Sequence, residues 1–156
     1  MTHNPQLHHE WMGLALAEAH RTSASGDVPV GAVVIDAGGN VVGRGYNRRE
    51  ADADPVAHAE VLAIRSAAER LGRWRLDDCT LVVTLEPCTM CAGATLLARI
   101  PRLVMGAWDD KAGAVGSVFD VLRDRRLNHW VEVFPDVRRE ECAAMLRDFF
   151  AAERGS

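Results

Sequence analysis

The chain has 156 residues, of which 48% are hydrophobic and 26% charged, with a formal net charge of −4. That length and balance fit one folded domain, residues 1–156, and argue against a disordered chain. An acidic protein is poorly suited to coating nucleic acid, so any RNA partner must be met by a small local basic surface and a shaped pocket. No apolar run approaches the ~18 residues of a membrane span, and the polar start Met1–Glu10 lacks the apolar stretch of a secretory leader; both point to the cytoplasm. In that reducing compartment Cys79, Cys88, Cys91 and Cys142 suggest metal binding or catalysis before disulfides.

Trp11, Leu14 and Ala15, with Met12, Leu16 and Ala19 on an adjoining face, predict an amphipathic helix over 9–21, ended by Gly26-Asp27. Val28–Ile35 reads as a strand, Ala37–Asn40 as a turn and Val41–Tyr46 as the returning strand of a hairpin. Asn47–Asp54 reads as a polar loop closed by Pro55. Apolar residues at Val61, Leu62, Ile64, Ala68 and Leu71 predict a helix over 58–71, stopped by Gly72. Thr80–Leu85 is continuously apolar and reads as a strand buried on both faces. Pro87 opens a helix over 88–98. A strand over 102–106, a Gly- and Asp-rich loop over 107–117, a helical turn over 118–123, a strand over 130–134 and a helix over 136–152 complete the chain. Helices alternating with strands predict an α/β layered domain around one sheet.

Two short motifs carry chemistry: His58-Ala59-Glu60 and Pro87-Cys88-Thr89-Met90-Cys91, each at the start of a predicted helix. Cys88 and Cys91 share one helical face, where the helix dipole and free N–H groups favour thiolates. Two sulfurs and an imidazole suit tetrahedral zinc, and three protein ligands leave a fourth position open to water, the catalytic pattern. On a regular helix Glu60 would diverge from His58 by about 200°. It is therefore predicted not as a ligand but as a carboxylate that takes a proton from the activated water and delivers it to a ring nitrogen. The competing arrangement is a closed structural site with Cys79 or Cys142 as fourth ligand; both read better as small core hydrophobes.

At these residues the chain resembles the cytidine/deoxycytidylate deaminase superfamily, whose zinc signature is H-x-E…P-C-x-x-C. The resemblance runs from about His9 to Phe150. It is carried most specifically by Val28–Val33, Asp54–Glu60 and Thr84–Ala94. Gly106-Ala107, Asp109, Lys111, Gly113-Ala114, Gly116-Ser117 and Leu127–His129 are similar to the branch that acts on adenosine in tRNA. The resemblance implies one zinc per chain on His58, Cys88 and Cys91, with Glu60 as proton shuttle and Asn47 against the base. It also implies a three-layer α/β/α fold around a five-stranded mixed sheet, a homodimer, and adenosine-to-inosine conversion at the first anticodon position, with a tRNA anticodon stem-loop as partner. Val56 departs from the Thr often found there, and the tail 151–156 carries only Arg154 as a basic residue.

Among other residues, Asp109 and Lys111 are candidate substrate contacts, with a turn-forming Asp and an exposed lysine as the plainer alternatives. For Asn47 the plainer alternative is a cap or a turn in its loop. Arg123, Arg125 and Arg126 form a basic cluster, Trp108 is either a stacking platform or a packing residue, and Trp11, Trp74 and Trp130 are expected in the core or an interface. His3, His8 and His9 read as a tail. Two rival functions stay open: a deaminase of a free base or nucleoside such as guanine or cytidine, and a non-catalytic zinc-stabilised RNA-binding module, against which Glu60 argues.

Overall fold

The computed structural model describes residues 4–155; His3 lies outside them. Five strands form one sheet in the order β2-β1-β3-β4-β5. They are β1 (Gly31–Ile35), β2 (Val41–Tyr46), β3 (Thr80–Leu85), β4 (Arg102–Ala107) and β5 (Glu132–Phe134). β1 runs antiparallel to β2 and β3, whereas β3, β4 and β5 are parallel, so the sheet is mixed. Side chains alternate across it as the period of two requires. Ala32, Val34, Leu81, Val83, Leu103 and Met105 pack on one face with Ala59, Ala63, Ala67 and Ala92 of α3 (Ala59–Leu71) and α4 (Thr89–Leu97). Val33, Ile35, Val82 and Val104 pack on the other with Trp11, Met12 and Ala15 of α1 (Pro5–His20) and Cys142 of α5 (Arg139–Arg154). The expected three layers are present.

The glycines of β2 set how closely α3 approaches. A Cβ on Gly45 would fall onto the Ala59 carbonyl and lie 2.7 Å from Ala63 N; one on Gly43 would meet the Ala63 carbonyl and lie 2.8 Å from Ala67 N. Bare backbone here lets the helix that carries His58 and Glu60 rest directly on the sheet.

Several boundaries differ from expectation for local reasons. The first helix begins at Pro5, because Asn4 accepts Gln6 N at 2.8 Å and Pro5 suits the first turn. His8 and His9 thus belong to a helix and not a tail; His8 is buried against Trp11 and Phe134. The first strand starts at Gly31 rather than Val28: Pro29 offers no N–H, and Val30 N turns back to Val28 O at 2.9 Å. The polar loop contains α2 (Arg49–Asp52), one turn capped by Asp27. Residues 118–123 form no helix; Val118 N and Phe119 N both bond Gly113 O, and Val115 bridges Asp120. The last strand begins at Glu132, leaving Trp130 exposed, and positive φ at Asp136 and Arg138 delays the last helix to Arg139. Of the tryptophans, Trp11 is in the core, whereas Trp74 and Trp130 are largely exposed.

Candidate active site

The two motifs meet at the carboxyl end of β3, where helix N-termini converge. His58 is the N-cap of α3 and Cys88 the N-cap of α4, both with extended backbone, and Cys91 is the third residue of α4. His58 Nδ1 lies 3.6 Å from Cys88 Sγ and 3.5 Å from Cys91 Sγ. A tetrahedral zinc with bonds of about 2.3 Å to sulfur and 2.0–2.1 Å to nitrogen separates such atoms by roughly 3.6 Å. The donor set and its spacing therefore fit zinc. Among the described residues these three form the only group suited to a metal, so Cys79 and Cys142 do not complete a closed site. Both are buried, and desolvation pushes their thiols up, to about 12 and about 11.

The protein groups themselves polarise the site. A hydrogen bond from Cys91 pulls the Cys88 thiol down to about 3, against burial and with help from His58. Cys91 is pushed up because it donates to Cys88 and is buried beside Glu60. Contact with Cys88 raises His58. The Glu60 side chain is 4% exposed, and burial pushes its carboxyl up to about 7, opposed by its own backbone N–H and by His58. The divergence expected of His58 and Glu60 on a regular helix does not apply. His58 sits outside the helix with ψ of 150°, so both side chains reach one cavity.

That cavity, of about 410 Å³, is lined by His58, Glu60, Cys88, Asn47 and Asp109, with Val28, Arg49 and Phe149 at its walls. Asn47 also caps: its Oδ1 accepts Ala59 N at 3.0 Å and its Nδ2 donates to Val28 O at 3.0 Å. A second N–H of that amide remains for a ligand. Asp109 likewise makes the turn anticipated as the plainer alternative, its Oδ1 accepting Lys111 N at 3.1 Å and Ala112 N at 3.2 Å. Lys111 does not line the cavity. It lies on the neighbouring surface with Arg147 and Arg154. Trp108 packs against the core, with Nε1 donating to Asp136 at 2.8 Å. Arg123 and Arg126 of the basic cluster pair with Asp120 and Asp124.

Sequence reasoning assigned no part in the site to Asp27, Arg49, Glu86 or Phe149. Glu86 carried a signal, an acid directly after a strand with an apolar centre, Leu81–Val83; Phe149 carried none that separates it from its neighbour Phe150.

A cavity with a zinc-fitting donor triad and a buried carboxylate defines a metal-assisted hydrolase site. The family model for the cytidine and deoxycytidylate deaminase zinc-binding region matches residues 5–107. The chain is 48% identical over 143 residues to a tRNA-specific adenosine deaminase of Haemophilus influenzae, covering 92% of this chain and 83% of that protein. A solved structure from work on A-to-I editing by tRNA:A34 deaminases at the wobble position superimposes with a TM-score of 0.83 at 43% identity, over 88% of this chain and 99% of that one. A guanine deaminase from Nitrosomonas europaea superimposes with a TM-score of 0.76 at 27% identity, over 92% and 84%. This chain belongs to the cytidine and deoxycytidylate deaminase family and is a hydrolytic deaminase.

Proposed function

We propose that the protein converts adenosine to inosine at the first anticodon position of tRNA, using one zinc per chain. The observation that carries the chemistry is the buried Glu60 carboxyl opening onto the same cavity as His58 and Cys88. His58, Cys88 and Cys91 would hold the zinc, which supplies Lewis-acid activation of water at neutral pH. Glu60 accepts the proton that water gives up as its oxygen bonds to C6 of the adenine. It passes that proton to N1 and then carries the proton of the new C6 hydroxyl to the amino nitrogen, which leaves as ammonia as the C6 carbonyl forms, so adenosine and water yield inosine and ammonia. Asn47 orients the ring with its remaining N–H, and Phe149 closes the cavity against water.

The adenosine and tRNA assignment rests on the 48% identical relative and on the 43% identical wobble-deaminase structure. An anticodon loop presents its base unpaired, which suits a cavity that must enclose the whole ring. The rival, a free-base deaminase, is favoured by the guanine deaminase likeness. Incubation with total tRNA, guanine, cytidine and adenosine in parallel separates them. Inosine in the tRNA is expected, and turnover of a free base or nucleoside with none of tRNA would overturn the assignment.

A homodimer is part of the proposal. Trp74 and Leu97 are 61% and 72% exposed and join Val61, Ile64 and Ala94 in an apolar surface on α3 and α4. Such a surface is suited to burial against a second copy. Sedimentation is expected to give about twice the 17.1 kDa chain mass, and a monomer that still deaminates tRNA would remove the dimer from the reading. No helix among the described residues is long and apolar enough to cross a membrane. A cytoplasmic location agrees with a tRNA substrate.

A further inference from the structure

One wall of the cavity is made by Asp109 and Ala112, from residues 108–121, which follow β4 and contain no helix and only one isolated bridge, Val115 to Asp120. This segment must hold Asp109 and Ala112 in place against the cavity. Its anchor is Glu86, 2% exposed, two residues before Cys88. Asp109 N donates to Glu86 Oε1 at 2.9 Å, and the Ser117 hydroxyl donates to the same oxygen. Val115 N and Ser117 N donate to Oε2 at 2.9 and 3.1 Å. A carboxylate has about four acceptor sites; four donors of the segment take them. Two backbone bonds complete the clasp, Glu86 N to Ala107 O and Ala114 N to Pro87 O, both 2.8 Å. Gly113 lies so close that a Cβ there would fall onto the carboxylate.

We propose that Glu86 is a positioning residue that moulds residues 109–117 into the substrate-facing wall of the cavity, and so sets how tightly the base is held. Although Glu86 reaches the cavity, its saturated oxygens leave it no site from which to take a substrate proton. That separates it from Glu60. The segment has no ladder or helix to fix it. Without the carboxylate, three N–H groups lose their acceptor and the wall must be ordered by the substrate on each binding event. Such a cost falls on ground state and transition state alike, so it enters KM and leaves kcat.

The inference rests on the reading of this cavity as the base pocket, and amide hydrogen exchange tests it without any substrate. In Glu86→Gln, an amide of the same shape, one oxygen becomes a donor facing donors. With hydrogen bonds to charged groups lost, exchange of amides 109–117 is expected to accelerate by about tenfold or more, and KM for an anticodon stem-loop to rise by a similar factor. Zinc content, kcat and the pH profile should hold. Ser117→Ala should move the same readouts less, and the double variant should be no worse than Glu86→Gln, since both act on one anchor. Unchanged exchange and KM in Glu86→Gln would overturn the proposal; so would a collapse of kcat at constant KM with a displaced pH profile, which would make Glu86 a proton carrier. Should Glu86→Gln fail to fold, Gly113→Ala and Ser117→Ala decide. Faster exchange confined to 109–117 with raised KM is expected, and wild-type values in both overturn it. If the wild type leaves the stem-loop unmodified, the substrate assignment fails while the exchange measurement still judges Glu86.

Discussion

Two of the walls of the active-site cavity are made in opposite ways. In one, α3 and α4 present their N-termini from a sheet they touch directly, and the reactive groups His58, Glu60, Cys88 and Cys91 sit within the first turn or at its cap. In the other, residues 108–121 have almost no regular structure and are gathered around one buried carboxylate, Glu86. The first wall owes its precision to helix packing, and in the proposed function it carries the chemistry. The second is shaped by side-chain-to-backbone bonds, and in the proposed function it faces the substrate. Rigid elements are the better support for atoms that must stay within a fraction of an ångström, whereas loops adapt more readily to the shape of a ligand.

The comparison is tested hardest where a single atom is removed from the helical wall. Cys88→Ala should abolish both bound zinc and deamination, because two remaining ligands cannot hold the ion. Metal analysis after dialysis checks this, and full zinc occupancy in the variant would break the ligand assignment. Next in size, Glu60→Ala should keep zinc and fold while kcat falls by about 10²–10⁴, the range for a positioned proton carrier. Near-normal turnover would remove Glu60 as the shuttle and leave the helical wall without its proton carrier.

Much of this first wall was legible in the sequence. His-x-Glu and Pro-Cys-x-x-Cys are local motifs at helix starts, and continuous apolar character marked the strand over 80–85 with the bounds observed. The second wall was not. The partners of Glu86 lie between 23 and 31 residues away, a separation that no periodicity encodes. Asn47 shows the same limit. Its type suggested either a cap or a base contact, and only the distance to Ala59 N reveals that it caps a helix twelve residues on while facing the cavity. The helical turn expected over 118–123 failed for a related reason: Val121 N bonds Ala114 O at 2.8 Å and Val115 bridges Asp120, so the segment pairs with residues before it and not with itself.

A smaller effect probes the packing beneath the helical wall. Gly45→Ala places a Cβ on the Ala59 carbonyl, and neither backbone can yield without shifting α3. Overpacking of this kind costs about 1–3 kcal/mol. Urea unfolding of the zinc-loaded protein should show that loss, with weaker zinc retention because His58 caps the displaced helix. Unchanged stability would mean that α3 floats more freely over β2 than its contact with the sheet implies.

The smallest expected effect concerns Asp27, which does for α2 what Glu86 does for the longer loop. Asp27 is 3% exposed and accepts Glu50 N at 2.8 Å, Ala51 N at 3.1 Å and the Ser25 hydroxyl at 2.5 Å. Burial alone would raise its pKa, but these hydrogen bonds outweigh burial and lower it. A carboxyl whose folded pKa lies below its unfolded value, about 3.9, stabilises the fold fully above that value and loses the contribution as pH falls through the folded one. Asp27→Asn should therefore cost about 1–2 kcal/mol at pH 7, where a charge-assisted cap becomes a neutral one. The gap between wild type and variant should narrow below about pH 4. Taking the difference between the two proteins at pH 7, 4 and 3 removes the acid sensitivity they share through the zinc ligands. A gap that stays constant over that range would show that the side chain's shape, and not its charge, holds Arg49 and Glu50 at the mouth of the cavity.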